Sequence, residues 1–378
     1  MGDDWTVRVT DATRVELGEI SPIQLQARLR WQETGTWTLD VPFGDRLTAL
    51  LAEPGSGIVV YAPGSDTPFF AGPRTQFRLT EAEQLQVEVQ GVTDQILLED
   101  RLASPDPSLE PPWTVEERVL SGPADEVMRA VVGENLGPVA LPARQTVLVD
   151  TTPIPHVEDV RWTVTGQPVS DVLEGIGDYA DLGWTVDRLS NGDRIFRVLA
   201  PVDVSDTVIF SAQLGTVNRV ELVDGRPWMT HVVVAGNLGP YDVVRPTVLR
   251  TDAAIPAQWG RIESFRDHRQ SSDPGELEDV ADSTLADQQP LQTVTVDPVD
   301  GAALVEFPTT YSVGSVVTVR VEDEILQDVV REVELTLAEG QAARAVPSLQ
   351  TIRSPQGRAV RELSARVTAM ASARTGRT

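Results

Sequence analysis

The sequence predicts a mainly β protein in which an α/β part is inserted between two β-barrel-like domains. Three observations lead there. Apolar and polar residues alternate with period two through much of the first hundred residues, which puts every second side chain on one face of a strand. The 28 glycines and 27 prolines supply the turns that short antiparallel strands need. Helical spacing up to residue 340 is confined to a few stretches between about residues 93 and 183 and one near residue 274.

The elements follow in order. In "PIQLQARLRW" Ile23, Leu25, Ala27, Leu29 and Trp31 alternate with Gln24, Gln26, Arg28 and Arg30, a strand with one wet face. "GTWTLDVP" repeats the pattern with Trp37, Leu39 and Val41. "GIVVYA", "TQFRLT" and "LQVEVQGV" continue it, with turns at "EPGSG" and "APGSD". "TDQILLEDRLA" then reads as helical, and "SPDPSLEPPW" as a proline-rich connector. "SGPADEVMRAVVGENLG" predicts an amphipathic helix with Pro123 in its first turn and Gly137 as its stop. "QPVSDVLEGIGDYADLG" predicts another, with Val172, Leu173, Ile176 and Ala180 on one face. In "GWTVDRLSNGDRIFRVLA", Asn191-Gly192 predicts a type I′ hairpin turn.

Strands resume with "DTVIFS", "VNRVELV", "HVVVAGN", "DVVRPTVLR" and "WGRIESFRD", then "LQTVTVDP", "SVVTVRV" and "DVVREVELTL". The expected division is 1–100 as a first β domain completed by strands from about 202–240, 101–201 as the insertion, 202–340 as a second β domain, and 341–378 as a basic, partly helical tail. A chain of 378 residues suits roughly two or three domains.

Composition narrows the function. Asp and Glu outnumber the basic residues 57 to 31, a formal net charge of −26, which argues against gripping nucleic acid because phosphate binding needs cations to displace counterions. Such a surface is one that anionic polymers slide past. All 31 basic residues are arginine, a pattern we read as GC-rich coding rather than as a recognition device. Without cysteine there is no disulfide, thiolate metal site or cysteine nucleophile. No apolar run approaches the 18 residues or so of a membrane span. The start "MGDDWT" lacks the basic region of a signal peptide, and its loose match to a myristoylation pattern through Gly2 and Thr6 is read as chance.

Motifs for chemistry are missing. A P-loop needs lysine, and His156, His231 and His268 are too far apart for a local metal-binding pair. Neither G-x-S-x-G nor G-x-G-x-x-G occurs. A glycosidase needs only two carboxyls, and 57 acidic residues do not reveal which two. One cluster deserves weighing as a site: Glu263, Asp267 and His268 among Arg261, Arg266 and Arg269. Ile262 and Phe265 break the alternation there, so a bulged or twisted strand is expected. Asp273 as N-cap, Pro274 at N1 and Glu276 at N3 start a helix whose buried face is Leu277, Val280, Ala281 and Leu285. The cluster therefore reads as a strand-to-helix junction whose charges cap and solvate; if Glu263, Asp267 and the arginines do more than that, ion pairs between subunits are expected. No catalytic residue, cofactor or metal is expected.

The segment from Gln341 carries seven arginines against one carboxylate, Glu362. Val360, Leu363, Val367 and Met370 are spaced three, four and three, a seam about two heptads long. With Arg353, Arg358, Arg361 and Arg366 they form the candidate partner-docking residues.

Taken together, "GTWTLDVP", "PGSGIVVY", "FFAGPRTQF", "LEDRLASP", "SGPADEVMRAVVGENLGP", "LGWTVDR", "THVVVAGN", "WGRIESFRDHRQSSDPGEL" and "DVVREVEL" carry a resemblance across residues 5 to 340. The chain resembles the tail-hub (minor tail) proteins of siphoviruses infecting actinobacteria, which look like the baseplate hub of contractile tails. The resemblance implies a tail-hub architecture of two β-barrel hub domains with an inserted α/β part, and a non-enzymatic virion protein made in the bacterial host cytoplasm. It further implies a homotrimer at the distal end of the tail, adapting a six-fold tube to a three-fold tip and letting DNA pass during ejection. Its partners would be other copies of itself, the distal tail ring and tail-tube proteins, the tape-measure protein, and downstream tip or receptor-binding proteins, with no stable nucleic-acid binding. The competing readings are a tail-associated cell-wall or glycan hydrolase and a carbohydrate-binding adhesin.

Overall fold

A computed structural model describes residues 5–81, 85–224, 229–238, 244–251, 259–268, 274–287, 292–299, 301–322 and 324–350. In chain order the elements are β1 (Thr6–Thr10), β2 (Glu16–Ile20), β3 (Gln24–Arg30), β4 (Thr36–Pro42), α1 (Arg46–Leu51), β5 (Gly57–Tyr61), β6 (Pro68–Glu81) and β7 (Leu85–Val92). Then come α2 (Ile96–Glu99), β8 (Arg118–Pro123), α3 (Ala124–Asn135), β9 (Leu148–Val149), β10 (Asp159–Val164), α4 (Val169–Ala180), β11 (Gly183–Arg188) and β12 (Arg194–Leu199). The rest are β13 (Val202–Asp203), β14 (Ile209–Ser211), β15 (Val217–Asp224), β16 (His231–Ala235), β17 (Thr247–Thr251), β18 (Glu263–Asp267), α5 (Pro274–Asp287), β19 (Gln292–Pro298), β20 (Ser315–Val321), β21 (Glu324–Ala338) and β22 (Arg344–Gln350). The protein is mainly β, as its alternation predicts. It divides into two compact units: Met1–Asn218 with Asp297–Val317 and Val329–Pro347, and Arg219–Val296 with Thr318–Asp328 and the chain from Ser348.

The first unit holds a sheet in the order β21-β3-β4-β7-β6-β5-β1-β2. Its long strand β6 belongs to two ladders. The segment up to Pro73 pairs with β5, and the segment from Arg74 pairs with β7, with a register shift between Arg74 and Gln76. That irregularity bends the strand, so the two halves of the sheet share one core. Val7, Val9, Ile58, Val60 and Phe70 from one half meet Leu25, Leu39, Val87, Val89, Leu335 and Leu337 from the other. Strand β21 lies beside β3, from Glu332 opposite Arg30 to Ala338 opposite Gln24. The first unit also takes in residues 202–218, where β13 pairs with β20 through Val202 and Ser315. Among the described residues no pairing joins β2 to β21.

The inserted part has its own core. Helices α3 and α4 pack with the β10–β8 pair and the three-stranded β11-β12-β9 sheet, burying Met128, Val132, Leu136, Leu173, Ile176, Trp184 and Phe196. Helix α3 ends at Leu136 beside Gly137 as its sequence signals predict, but Pro123 is its N-cap, one place before the first turn. The helix expected over "TDQILLEDRLA" is reduced to the single turn α2. Its flanks are bonded elsewhere: Asp94 N–H donates to Ala71 O at 2.8 Å, Ala103 N–H to Gln167 O at 2.8 Å, and Arg101 O accepts from Val169 N–H at 2.8 Å.

The Asn191-Gly192 hairpin forms, but not with a type I′ turn. Gly192 N–H donates to Leu189 O at 2.9 Å, and Leu189 N–H to Asp193 O at 2.8 Å. Gly192 has φ +86° while Asn191 is not among the residues with positive φ. A type I turn followed by a left-handed glycine fits those values, and it needs only one such residue.

In the second unit β16 is central, antiparallel to β17 and parallel to β18. Helix α5 covers one face through Leu277, Ala281 and Leu285 against Val232 and Val234. The chain does not leave the fold at Gly340. Strand β22 follows, and its end pairs with β19, Val294 opposite Leu349.

Candidate functional site

The charged cluster around His268 is spent on structure. Strand β18 pairs in continuous register with β16 from His231 opposite Glu263 to Ala235 opposite Asp267, so the expected bulge is not there. Arg261 pairs with Glu263 at 2.6 Å, and Arg245 pairs with Asp267. These partners lie in the same chain. His268 N–H donates to Ala235 O at 2.8 Å. His231 Nδ1 shares a hydrogen bond with Thr230 Oγ1 at 2.8 Å, and His156 lies on an exposed loop. Among the described residues no group of three His, Asp or Glu side chains could hold a metal ion. Helix α5 starts at Pro274 as expected; Asp273 and Arg269 lie outside the described residues, as does the side chain of Glu276.

Phe265 breaks the sequence alternation because it faces away from α5. Register places Leu249, Val233 and Phe265 in one row across β17, β16 and β18. Leu249 and Phe265 are exposed on that open face.

The densest buried charge sits where the inserted part meets the first sheet. Asp94, just after β7, receives Arg188 Nε at 2.8 Å and Nη2 at 2.9 Å. Arg194 Nε donates to the same carboxylate at 3.1 Å. Arg188 and Arg194 are cross-strand neighbours at the mouth of the β11–β12 hairpin. Beside them opens a cleft of about 750 Å³, lined by Arg8, Arg14, Glu16, Tyr61, Asp66 and the turn from Arg188 to Asp193, among others. Arg8 pairs with Glu16 at 2.8 Å and lies 5.0 Å from the centre of the Tyr61 ring. Tyr61 Oη donates to Glu16. Burial first, and then the Glu16 hydrogen bond and charge, push the Tyr61 hydroxyl up to about 12. Burial lowers the Arg194 guanidinium below its ordinary range; Asp94 opposes this, and Arg188 and Arg14 add to it.

No sequence motif announced Asp94, since its partner lies 94 residues away. The signal that could have found Arg188 is period two: it follows Trp184 and Val186 on the buried face of β11. The candidate docking residues Val360, Leu363, Val367, Met370, Arg353, Arg358, Arg361 and Arg366 lie outside the described residues.

The family model for the Siphovirus ReqiPepy6 Gp37-like protein matches residues 6–348. The chain belongs to that family. This Gp37-like protein also shares its fold with solved tail proteins. The tail protein from Neisseria meningitidis MC58 is 14% identical with a TM-score of 0.56, over 94% of this chain and 99% of that one. The prophage MuSo2 43 kDa tail protein from Shewanella oneidensis is 11% identical with a TM-score of 0.56, over 91% and 97%. Prophage tail protein gp18 from Listeria monocytogenes EGD-e is 10% identical with a TM-score of 0.51, over 95% and 98%. No curated protein sequence matches. The Gp37-like chain is a member of a phage tail structural protein family, and its mainly β architecture is that of tail proteins.

Proposed function

We propose that this Gp37-like protein is the hub of a siphovirus tail tip. It acts as a homotrimer at the distal end of the tail, does no chemistry, adapts the six-fold tube to a three-fold tip, and leaves a passage for DNA during ejection. The observation that carries the reading is that one chain of this family has two compact units, each built on β-sheet. Three such chains offer six units, the number a six-fold tube requires. The net charge of −26 supports a lumen that lets DNA slide instead of holding it.

In this reading residues 1–100, completed by strands from about 202–240 and by β21, make the first hub barrel. Residues 101–201 are the insertion, and 202–340 the second hub barrel. The basic residues from Arg353 to Arg366, with the seam from Val360 to Met370, dock a neighbour in the tail tip. The neighbours are the distal ring and tube proteins, the tape-measure protein and the receptor-binding tip, in an actinobacterial host.

Quantitative mass spectrometry of purified virions, scaled to the major capsid protein, tests the stoichiometry. Three copies per particle are expected; two or six would overturn the trimeric hub. Removing residues 351–378 tests docking separately, since tips that assemble normally without the segment would end that part of the proposal.

A further inference from the structure

The cleft beneath the β11–β12 turn has an imbalance of buried charge. Two guanidiniums, Arg188 and Arg194, share one buried carboxylate, Asp94, and the half-buried Arg14 adds a like charge near Arg194; Arg8, also in the cleft wall, pairs with Glu16. The Arg188 and Asp94 side chains are only 3% and 1% exposed. Arg188 gives Nε and Nη2 to Asp94, while its buried Nη1 has no hydrogen-bond partner. Arg14 has no ion-pair partner among the described residues. It is held at φ +71° in the turn after β1, with its carbonyl oxygen beside Gly192. Two further carboxylates, Asp66 and Asp193, line the cleft, but both residues are exposed. Water screens such exposed charges, so they do little for the buried Arg188 guanidinium. A buried donor without an acceptor and a buried cation without equal counter-charge are both costly.

We infer that this cleft is an oxyanion site, which takes one carboxylate or phosphate group against Arg14 and the free Nη1 of Arg188. The pairing would be charge-assisted, the stronger kind of hydrogen bond, and planar guanidiniums suit both anions. A space of about 750 Å³ is larger than an ion and accommodates the group that carries it. The site is independent of the trimeric hub reading, since every residue in it belongs to the first unit of one chain.

The test is NMR titration of the full chain with inorganic phosphate in one arm and N-acetylglutamate amide in the other. Sodium chloride at matched ionic strength is the control. Saturable shifts of the amides from Ser190 to Asp193 are expected with at least one probe, and the arm that gives them identifies the source of the oxyanion. Arg14→Asn keeps a residue that tolerates positive φ and should weaken binding about tenfold, the loss of one hydrogen bond between charged groups. Asp66→Asn should tighten binding, because it removes a repelling charge at the rim. Shifts no larger than those in sodium chloride, or binding unchanged by Arg14→Asn, would overturn the site.

Discussion

Asp94 and Arg188 form a bidentate ion pair between the loop after β7 and the end of β11, with almost no solvent access to either side chain. Desolvation makes such a pair a weak source of net stability, yet removing one partner strands the other charge. Asp94 also holds Arg194, so its loss strands two guanidiniums. Asp94→Ala is therefore expected to cost about 3–5 kcal/mol. The double replacement Asp94→Leu with Arg188→Met should recover part of that loss. Urea denaturation followed by tryptophan fluorescence reads both. A single variant within about 0.5 kcal/mol of the parent, the usual effect of a neutral surface change, would show that the pair is not the structural joint we describe.

Trp37 and Gly91 face each other across β4 and β7, and the indole occupies the space a side chain at 91 would need. A Cβ there would lie 2.1 Å from the Trp37 ring, which is fully buried and whose Nε1 donates to Val92 O at 3.0 Å. The ring cannot swing away without losing both its packing and that bond. Gly91→Ala should cost about 1–3 kcal/mol through overpacking. Near-UV circular dichroism should report the displaced tryptophan; an unchanged spectrum with an unchanged urea midpoint would refute the contact.

The two interactions differ in how far sequence exposes them. Trp37 sits in a clean alternation with Leu39 and Val41, and all three are buried as that pattern predicts. The strands of the first hundred residues, helix α3 and helix α4 follow from similar local periodicity. What local pattern does not contain is pairing. Nothing near residue 30 says that Glu332 lies opposite Arg30, and nothing near Asp94 names Arg188. The turn at Asn191-Gly192 was legible as a hairpin, but its type depends on a register that only the folded strands set. Phe265 misled the strand pattern because a three-stranded sheet covered on one face still exposes an apolar row on the other.

Tyr61 gives a pH signature. Its hydroxyl is pushed up to about 12, whereas an unfolded tyrosine ionises near 10. The fold favours the protonated form, so this contribution to stability is fully present below about pH 10 and is lost as pH rises from 10 through 12. Tyr311 shifts the same way through burial, so the parent alone does not isolate Tyr61. Comparison with Tyr61→Phe does. The variant should lose less stability than the parent between pH 9 and 11, by urea denaturation at each pH. Parallel pH profiles would contradict the assignment.

Asp181 ends α4 in the left-handed conformation, φ +52° and ψ +44°, and its N–H caps Gly177 O. Glycine is the residue that adopts this geometry without strain. Asp181 reaches Arg331 only at 4.0 Å and is largely exposed, so the ion pair lost on replacement is worth little. Asp181→Gly should therefore raise stability by about 0.5–1 kcal/mol, read as a higher melting temperature. A lower one would mean that the Arg331 contact outweighs the backbone strain.

The position at which the chain is cut separates fold from appendage. Strand β22 contributes buried Leu349 and pairs with β19, and Arg344 binds Asp297 at 2.8 Å. Ala343 and Ala345 also pack against the core of the first unit. A chain ending at Gln350 keeps all of these contacts and should melt at the temperature of the full chain. A chain ending at Gly340 loses a strand and exposes the apolar surface that Leu349 covered; burying a leucine is worth about 1.5–3 kcal/mol on its own. Its melting temperature should fall by several degrees, with increased binding of a hydrophobic dye. Equal melting of the two truncations would mean that β22 is no part of the stable fold, and a drop already at Gln350 would mean that the basic segment itself supports it.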